Sequence, residues 1–105
     1  MDTFSIALSG LQTSGNGMAV TANNVANANS EDYKAKRMDQ EDVQGGGTRP
    51  STLQESQEPT APGRSNVDYA TEMTGSMLQS ASYQANLKVI QVESQILGQT
   101  MDLKA

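Results

Sequence analysis

Histidine, cysteine and tryptophan are absent from the 105-residue chain, and phenylalanine occurs once, at Phe4. Without histidine there is no imidazole base and no imidazole metal ligand. Without cysteine there is no disulfide, no thiolate chemistry and no zinc knuckle. An enzyme built from this chain would have to rely on carboxylates, lysine or tyrosine. The carboxylates at Glu31-Asp32 and at Asp39, Glu41 and Asp42 lie in polar stretches, with no apolar pocket to fit them for acid–base work, and read as a solvated face. Gly45-Gly46-Gly47-Thr48-Arg49 lacks the Gly-Lys-Ser/Thr of a phosphate loop and reads as linker. No enzymatic activity, cofactor or metal site is expected.

Hydrocarbon is scarce as well. Leu, Ile, Val and Phe together number 17, under the roughly one-fifth level below which disorder becomes a serious prospect. Ordering a residue costs on the order of 1–2 kcal/mol of backbone entropy, and apolar burial offsets this at only about 25 cal/mol per Å². A lone chain is therefore expected to be marginal, with partners supplying the missing buried surface. The net charge is −5. The one basic cluster, Lys34, Lys36 and Arg37, is flanked by Glu31, Asp32 and Asp39, so nucleic acid is not an expected partner. No apolar run approaches the roughly 20 residues that span a bilayer, so no membrane insertion is expected. Met1-Asp2-Thr3-Phe4-Ser5 lacks the basic and apolar regions of a secretory signal; a route out of the cytoplasm would not use a cleaved one.

What is present divides into three segments: 1–37, 38–65 and 66–105. In the first, Phe4, Leu8, Leu11, Gly15, Met18, Ala22 and Val25 alternate at spacings of four and three, a heptad seam that predicts an amphipathic helix over 3–29. Ser14-Gly15-Asn16-Gly17 reads as a turn on propensity, since an interior glycine costs about 1 kcal/mol relative to alanine. The register is unbroken across the glycines, so a continuous helix is expected, with Gly15 admitting a neighbouring backbone. Asn16-Gly17 reads equally as a close-packing pair or as a bend prone to deamidation. The second segment, punctuated by Gly45–Gly47, Pro50, Pro59, Pro62 and Gly63, predicts an irregular or partly extended connector, extended at most around Ser51–Glu55.

The third segment has no proline from 67 to 103 and predicts a long helix, capped by Ser65 or Asn66, with Asp68 and Glu72 at the positive end of its dipole. At about 100° per residue it carries two apolar stripes. Tyr69, Met73, Tyr83, Leu87, Ile90, Leu97 and Met101 form one. Val67, Leu78, Ala85, Val89, Val92, Ile96 and Leu103 form the other. Two opposed stripes imply a sandwiched helix, one side taking the N-terminal helix and the other a different molecule. The expected fold is thus mostly α, with long terminal helices packed antiparallel in a coiled-coil-like pair.

Residues 7–37, with Ala22-Asn23-Asn24-Val25-Ala26-Asn27 and then Tyr33, resemble the N-terminal signature of flagellar rod and hook proteins. Residues 66–105, with Asn66-Val67-Asp68 and Ser82-Tyr83-Gln84-Ala85-Asn86, resemble that family's C-terminal segment. The short middle, Leu53–Pro59, is most similar to the short proximal-rod subtype. Many relatives have Thr-Pro-Gly where this chain has Ser30-Glu31-Asp32. The resemblance implies a structural subunit of the bacterial basal-body rod that helps transmit torque. Its partners would be copies of itself, other axial proteins and the flagellar type III export apparatus, which delivers it uncleaved to the periplasmic rod. The implied assembly interface comprises Leu8, Leu11, Gly15, Met18, Ala22 and Val25 on the first helix, with Asn23, Asn24 and Asn27 at its end. On the second it comprises Tyr83, Leu87, Val89, Ile90, Val92, Ile96, Leu97 and Met101. On spacing alone the asparagines equally suit capping of a helix end. A small, acidic, helical export chaperone that binds a client without polymerising is the alternative reading.

Overall fold

Residues 2–104 are described by a computed structural model, with side chains through Asp102. The expected placement of Leu103 on an apolar stripe lies outside the described side chains. Asp2 opens the first helix, α1 (Thr3–Ala26): its carboxylate accepts from the Ser5 backbone N–H at 2.8 Å and is held below its ordinary pKa mainly by that bond. The helix runs unbroken through Gly15 and Gly17 and ends at Asn27, whose N–H reaches back to the Asn23 and Asn24 carbonyls. The long helix α2 (Tyr69–Lys104) is capped by Asp68, not by Ser65 or Asn66. One Asp68 oxygen accepts from the Ala70 N–H and the other from the Thr71 hydroxyl, both at 3.1 Å.

The connector is more ordered than the expected irregular or partly extended chain, and the extended piece expected at Ser51–Glu55 lies within its second strand. It is an antiparallel β-hairpin, β1 (Lys36–Asp42) and β2 (Thr48–Glu55). Three consecutive glycines with positive φ, Gly45–Gly47, turn it, and the Val43 N–H donates to the Gly47 carbonyl at 2.9 Å. Its strands have little β propensity, and cross-strand polar pairs hold them. Arg49 bonds Glu41 at 2.6 Å, and Arg37 bonds Gln54 at 2.9 Å. A bulge sets Ser51 and Thr52 against Asp39. The hairpin lies along α1, where Thr48 donates its N–H to Ser9 Oγ at 3.1 Å and its hydroxyl meets that of Thr13 at 3.3 Å.

The helices are antiparallel, but the line along which they meet is not the apolar heptad. Gly10 faces Asn86, Ser14 bonds Ser82 through their hydroxyls at 3.1 Å, Gly17 faces Gln79, Gly75 faces Thr21, and Asn24 bonds Glu72. The joint is therefore made of small and polar side chains, which let the backbones approach, in place of coiled-coil packing. Gly15, expected on that line, has nothing within 4 Å of where its Cβ would stand. A Cβ at Gly10 would lie 2.5 Å from Asn86 Nδ2, and one at Gly17 would overlap the Gln79 amide. Buried hydrophobics amount to Ala7 and Ala28 among the described residues, while Thr13, Ser14, Asn24, Ser65 and Glu72 are the buried polar groups.

The two glycine environments predict different outcomes. Gly15→Ala is expected to stabilise the chain by about 1 kcal/mol, the helix-propensity gain at an unobstructed site. Gly17→Ala is expected to gain less or nothing, because Gln79 must move. Denaturant midpoints of the two variants check the order; equal gains would contradict the close approach at Gly17.

Candidate functional site

Two features organise the surface that a partner would meet: a polar junction that sets the helices and hairpin in place, and the apolar side chains left outside. The junction centres on Asn24, 1% exposed. Its Nδ2 donates to the Lys36 carbonyl at 2.7 Å and to Glu72 Oε1 at 3.0 Å. Its Oδ1 accepts from the Tyr33 hydroxyl and the Lys36 N–H, both at 2.9 Å. One amide thus satisfies two donors and two acceptors, its full capacity, and ties α1 to the Tyr33 loop, β1 and α2.

The loops on either side of the hairpin complete the junction. Ser65 Oγ donates to the Ala28 carbonyl at 2.6 Å, the Asn66 N–H donates to the Tyr33 carbonyl at 3.2 Å, and Asn66 Oδ1 accepts from the Ala35 N–H at 2.6 Å. Asp32 takes a left-handed φ of 61° while its N–H donates to the Arg64 carbonyl. That conformation suits glycine, and aspartate tolerates it better than most.

Glu72 is nearly buried in this junction, beside a groove between the hairpin and the helices that Lys36, Glu55 and Asp68 also line. Burial raises its pKa above the ordinary carboxylate value; the Asn24 bond opposes the shift and Asp68 adds to it. Burial, with Glu72 and Glu55 nearby, likewise raises Tyr33, keeping its hydroxyl a donor to Asn24.

Of the residues expected at an assembly interface, Asn24 is engaged wholly within the chain. Asn23 donates to the Tyr33 hydroxyl at 3.2 Å, and Asn27 Nδ2 bonds back to the Asn23 carbonyl at 2.9 Å. The apolar set lies outside. Phe4, Leu11, Met18 and Val25 recur every seven residues beside the joint, as Tyr83, Ile90 and Leu97 do on α2, with Tyr69 two heptads before Tyr83. In an antiparallel pair both rows fall on the side away from the hairpin. Leu11, Met18, Tyr83 and Ile90 are half-buried there, while Phe4, Leu8, Ala22, Val25 and Leu87 are exposed. On the hairpin side α2 exposes Leu78, Ala85 and Val92.

Extending the register sets Thr3 level with Glu93, so about three turns of α2 continue past α1. There Ile96, Leu97 and Met101 are 55%, 61% and 64% exposed. The expectation that α1 covers one apolar stripe of α2 holds only in part: α1 lies on the small and polar line between the stripes, half-burying Tyr83 and Ile90 and leaving most of both exposed. The signal that marks this line was legible in Gly10, Ser14, Gly17 and Thr21, a small-residue row beside the more conspicuous apolar one. Met77, 70% exposed, is a further uncovered apolar group that the stripes omitted. No helix among the described residues is long and apolar enough to cross a membrane.

Comparison with known families matches residues 4–34 to the model described as flagella basal body rod protein. Residues 63–103 match the model described as flagellar basal body rod FlgEFG protein C-terminal. The two matches cover α1 with its following loop and nearly all of α2, and leave the hairpin between them. No curated protein matches the chain.

Two outcomes follow from the junction. Asn24→Ala leaves the Lys36 N–H and carbonyl without the Asn24 partner and the Tyr33 hydroxyl without its acceptor, at about 1–3 kcal/mol each if they stay buried. A loss of roughly 3 kcal/mol or more is expected, read by denaturant unfolding. Glu72 binds its proton more tightly in the folded chain than in the unfolded one. Its contribution to stability is thus fullest below the ordinary carboxylate pKa and is lost as pH rises through the raised one. Glu72→Gln, which keeps an acceptor for Asn24, is expected to raise the midpoint at pH 7 and to flatten the rise seen on acidifying to about pH 5. An unchanged pH slope would contradict this.

Proposed function

Because the chain belongs to the flagellar basal-body rod family, we propose that it is a structural subunit of the rod that assembles through the uncovered faces of its terminal helices and helps transmit torque. Its neighbours are copies of itself and other axial proteins. It reaches the rod within the periplasm through the flagellar export apparatus, without cleavage of a signal peptide.

One observation carries this reading: the chain folds with hydrogen-bonding groups inside and hydrocarbon outside. A monomeric globular protein of 11.1 kDa has an accessible surface of about 5,650 Å² by the usual scaling, whereas this chain exposes 7285 Å². The excess is roughly twice what one partner gives up in a standard protein–protein interface, about 800 Å². Its Cα radius of gyration is 18.1 Å, against the roughly 13 Å of a compact domain of this length. Phe4, Leu8, Val25, Leu87 and Leu97 are among the large apolar side chains exposed on this surface, and clustered exposed apolar groups mark a surface that meets other protein. The hairpin has no apolar interior of its own, with Leu53 57% exposed. That favours the short proximal-rod subtype over relatives that carry a folded domain between the helices.

The test uses Ile90 and Ile96. Neither belongs to the buried core, so Ile90→Asp and Ile96→Asp are expected to leave folding of the isolated chain intact. Each is expected to block incorporation, giving loss of swimming and absence of the subunit from purified basal bodies. Normal motility with both variants would overturn the role assigned to these faces.

A further inference from the structure

The Asn16-Gly17 pair stands in the middle of α1, and its two residues face different surroundings. Asn16 is exposed, while Gly17 is buried against Gln79, whose amide would overlap any Cβ at that position. Any larger residue after Asn16 would displace the Gln79 amide from the helix joint. Of the chain's asparagines it is the one followed by glycine. A glycine nitrogen, with no neighbouring Cβ to hinder it, is the backbone nucleophile best able to reach the preceding side-chain amide.

We propose that Asn16 is a deamidation site gated by the pairing of α1 with α2: chains that remain unpaired are modified there, and paired chains are protected. In the reaction the Gly17 N–H gives its proton to solvent base and the nitrogen bonds to Asn16 Cγ. The carbon–nitrogen bond of the side-chain amide breaks and ammonia leaves, forming a succinimide. Water opens either carbonyl of the ring, giving aspartate or isoaspartate. The balance is one water consumed and one ammonia released, with no oxidant or cofactor.

Within α1 this reaction is blocked twice. The Gly17 N–H is engaged one turn back along the helix, and helical ψ holds its nitrogen away from Cγ. When α1 opens, both restraints go. The helix is prone to open because Gly15 and Gly17 weaken it locally, and its contacts with α2 hold it closed. The product is not neutral for the fold. Isoaspartate adds a methylene to the backbone, which the helical hydrogen-bond ladder cannot accommodate next to Gly17. Either product also adds a negative charge to a chain already at −5. A chain left unpaired thus loses the means to form α1, so the site separates paired from long-unpaired chains by covalent chemistry.

The test incubates the purified full chain near pH 8 in buffer and in guanidinium, with peptide mass mapping and enzymatic methylation of isoaspartate. Deamidation at residue 16 is expected to dominate in denaturant and to be slower in buffer by about tenfold or more, the rarity of opening in a packed helix. Asn16→Gln should remove it. After return to buffer, isoaspartate-containing chains should lose protease protection across α1. Asn16→Asp, which adds the charge but keeps the backbone, should retain that protection. Equal rates in both conditions would overturn the proposal, as would deamidation centred on another asparagine or isoaspartate chains with α1 still protected.

Discussion

The Asn24 amide is the constraint on which the arrangement depends. Side-chain amides are seldom buried unless all their bonds are made, because an unpaired polar group in the interior is destabilising. Here both donors and both acceptor sites are used, on three separate pieces of chain. The position of α2 against α1, the start of the hairpin and the Tyr33 loop are thereby fixed together. Ser14–Ser82 and the glycines continue the joint along the helices, but Asn24 alone bonds the Tyr33 loop, β1 and α2 at once. The Asn-rich stretch at the end of α1 thus orders this chain before it meets any other.

A polar joint also explains how the helices can pair without consuming the apolar surface. Had Phe4, Leu11, Met18 and Val25 packed against Tyr83, Ile90 and Leu97, the pair would have been a self-sufficient hairpin of helices. Instead, close approach through Gly10, Ser14, Gly17 and Thr21 leaves those rows on the shoulders. The hairpin covers one flank of α1 and protects Thr13 there. What remains uncovered is one broad apolar side of the helix pair, a row on the hairpin side of α2, and the end of α2 that α1 does not reach.

Much of this could be read from the residues, and the failures have particular causes. The helices, the continuity through Gly15 and Gly17, and the excess of apolar surface on α2 follow from periodicity and the lack of proline. The joint was misplaced because apolar spacing at four and three is the stronger pattern, and Gly10, Ser14 and Thr21 carry no such emphasis. The hairpin was missed because Lys36–Asp42 is almost entirely polar; glycines with positive φ, Arg49–Glu41 and docking on Ser9 and Thr13 make it, and none of these is a local propensity. The role of Asn24 within the chain matches neither option read from spacing, capping a helix end or bonding a neighbour in the assembly, because only the fold brings Tyr33, Lys36 and Glu72 together around it. Asp68 took the cap because Ser65 and Asn66 were drawn into the loop contacts with Ala28 and Ala35.

The near absence of buried hydrocarbon has a calorimetric consequence. The heat-capacity change of unfolding arises mainly from apolar surface meeting water, and polar exposure opposes it. A lone chain whose interior is Asn24, Ser14, Thr13 and two alanines should unfold with a small increment and hold a nearly level stability across temperature. The large negative heat-capacity change belongs instead to association, so warming affects the contacts between subunits far more than the shape of each one.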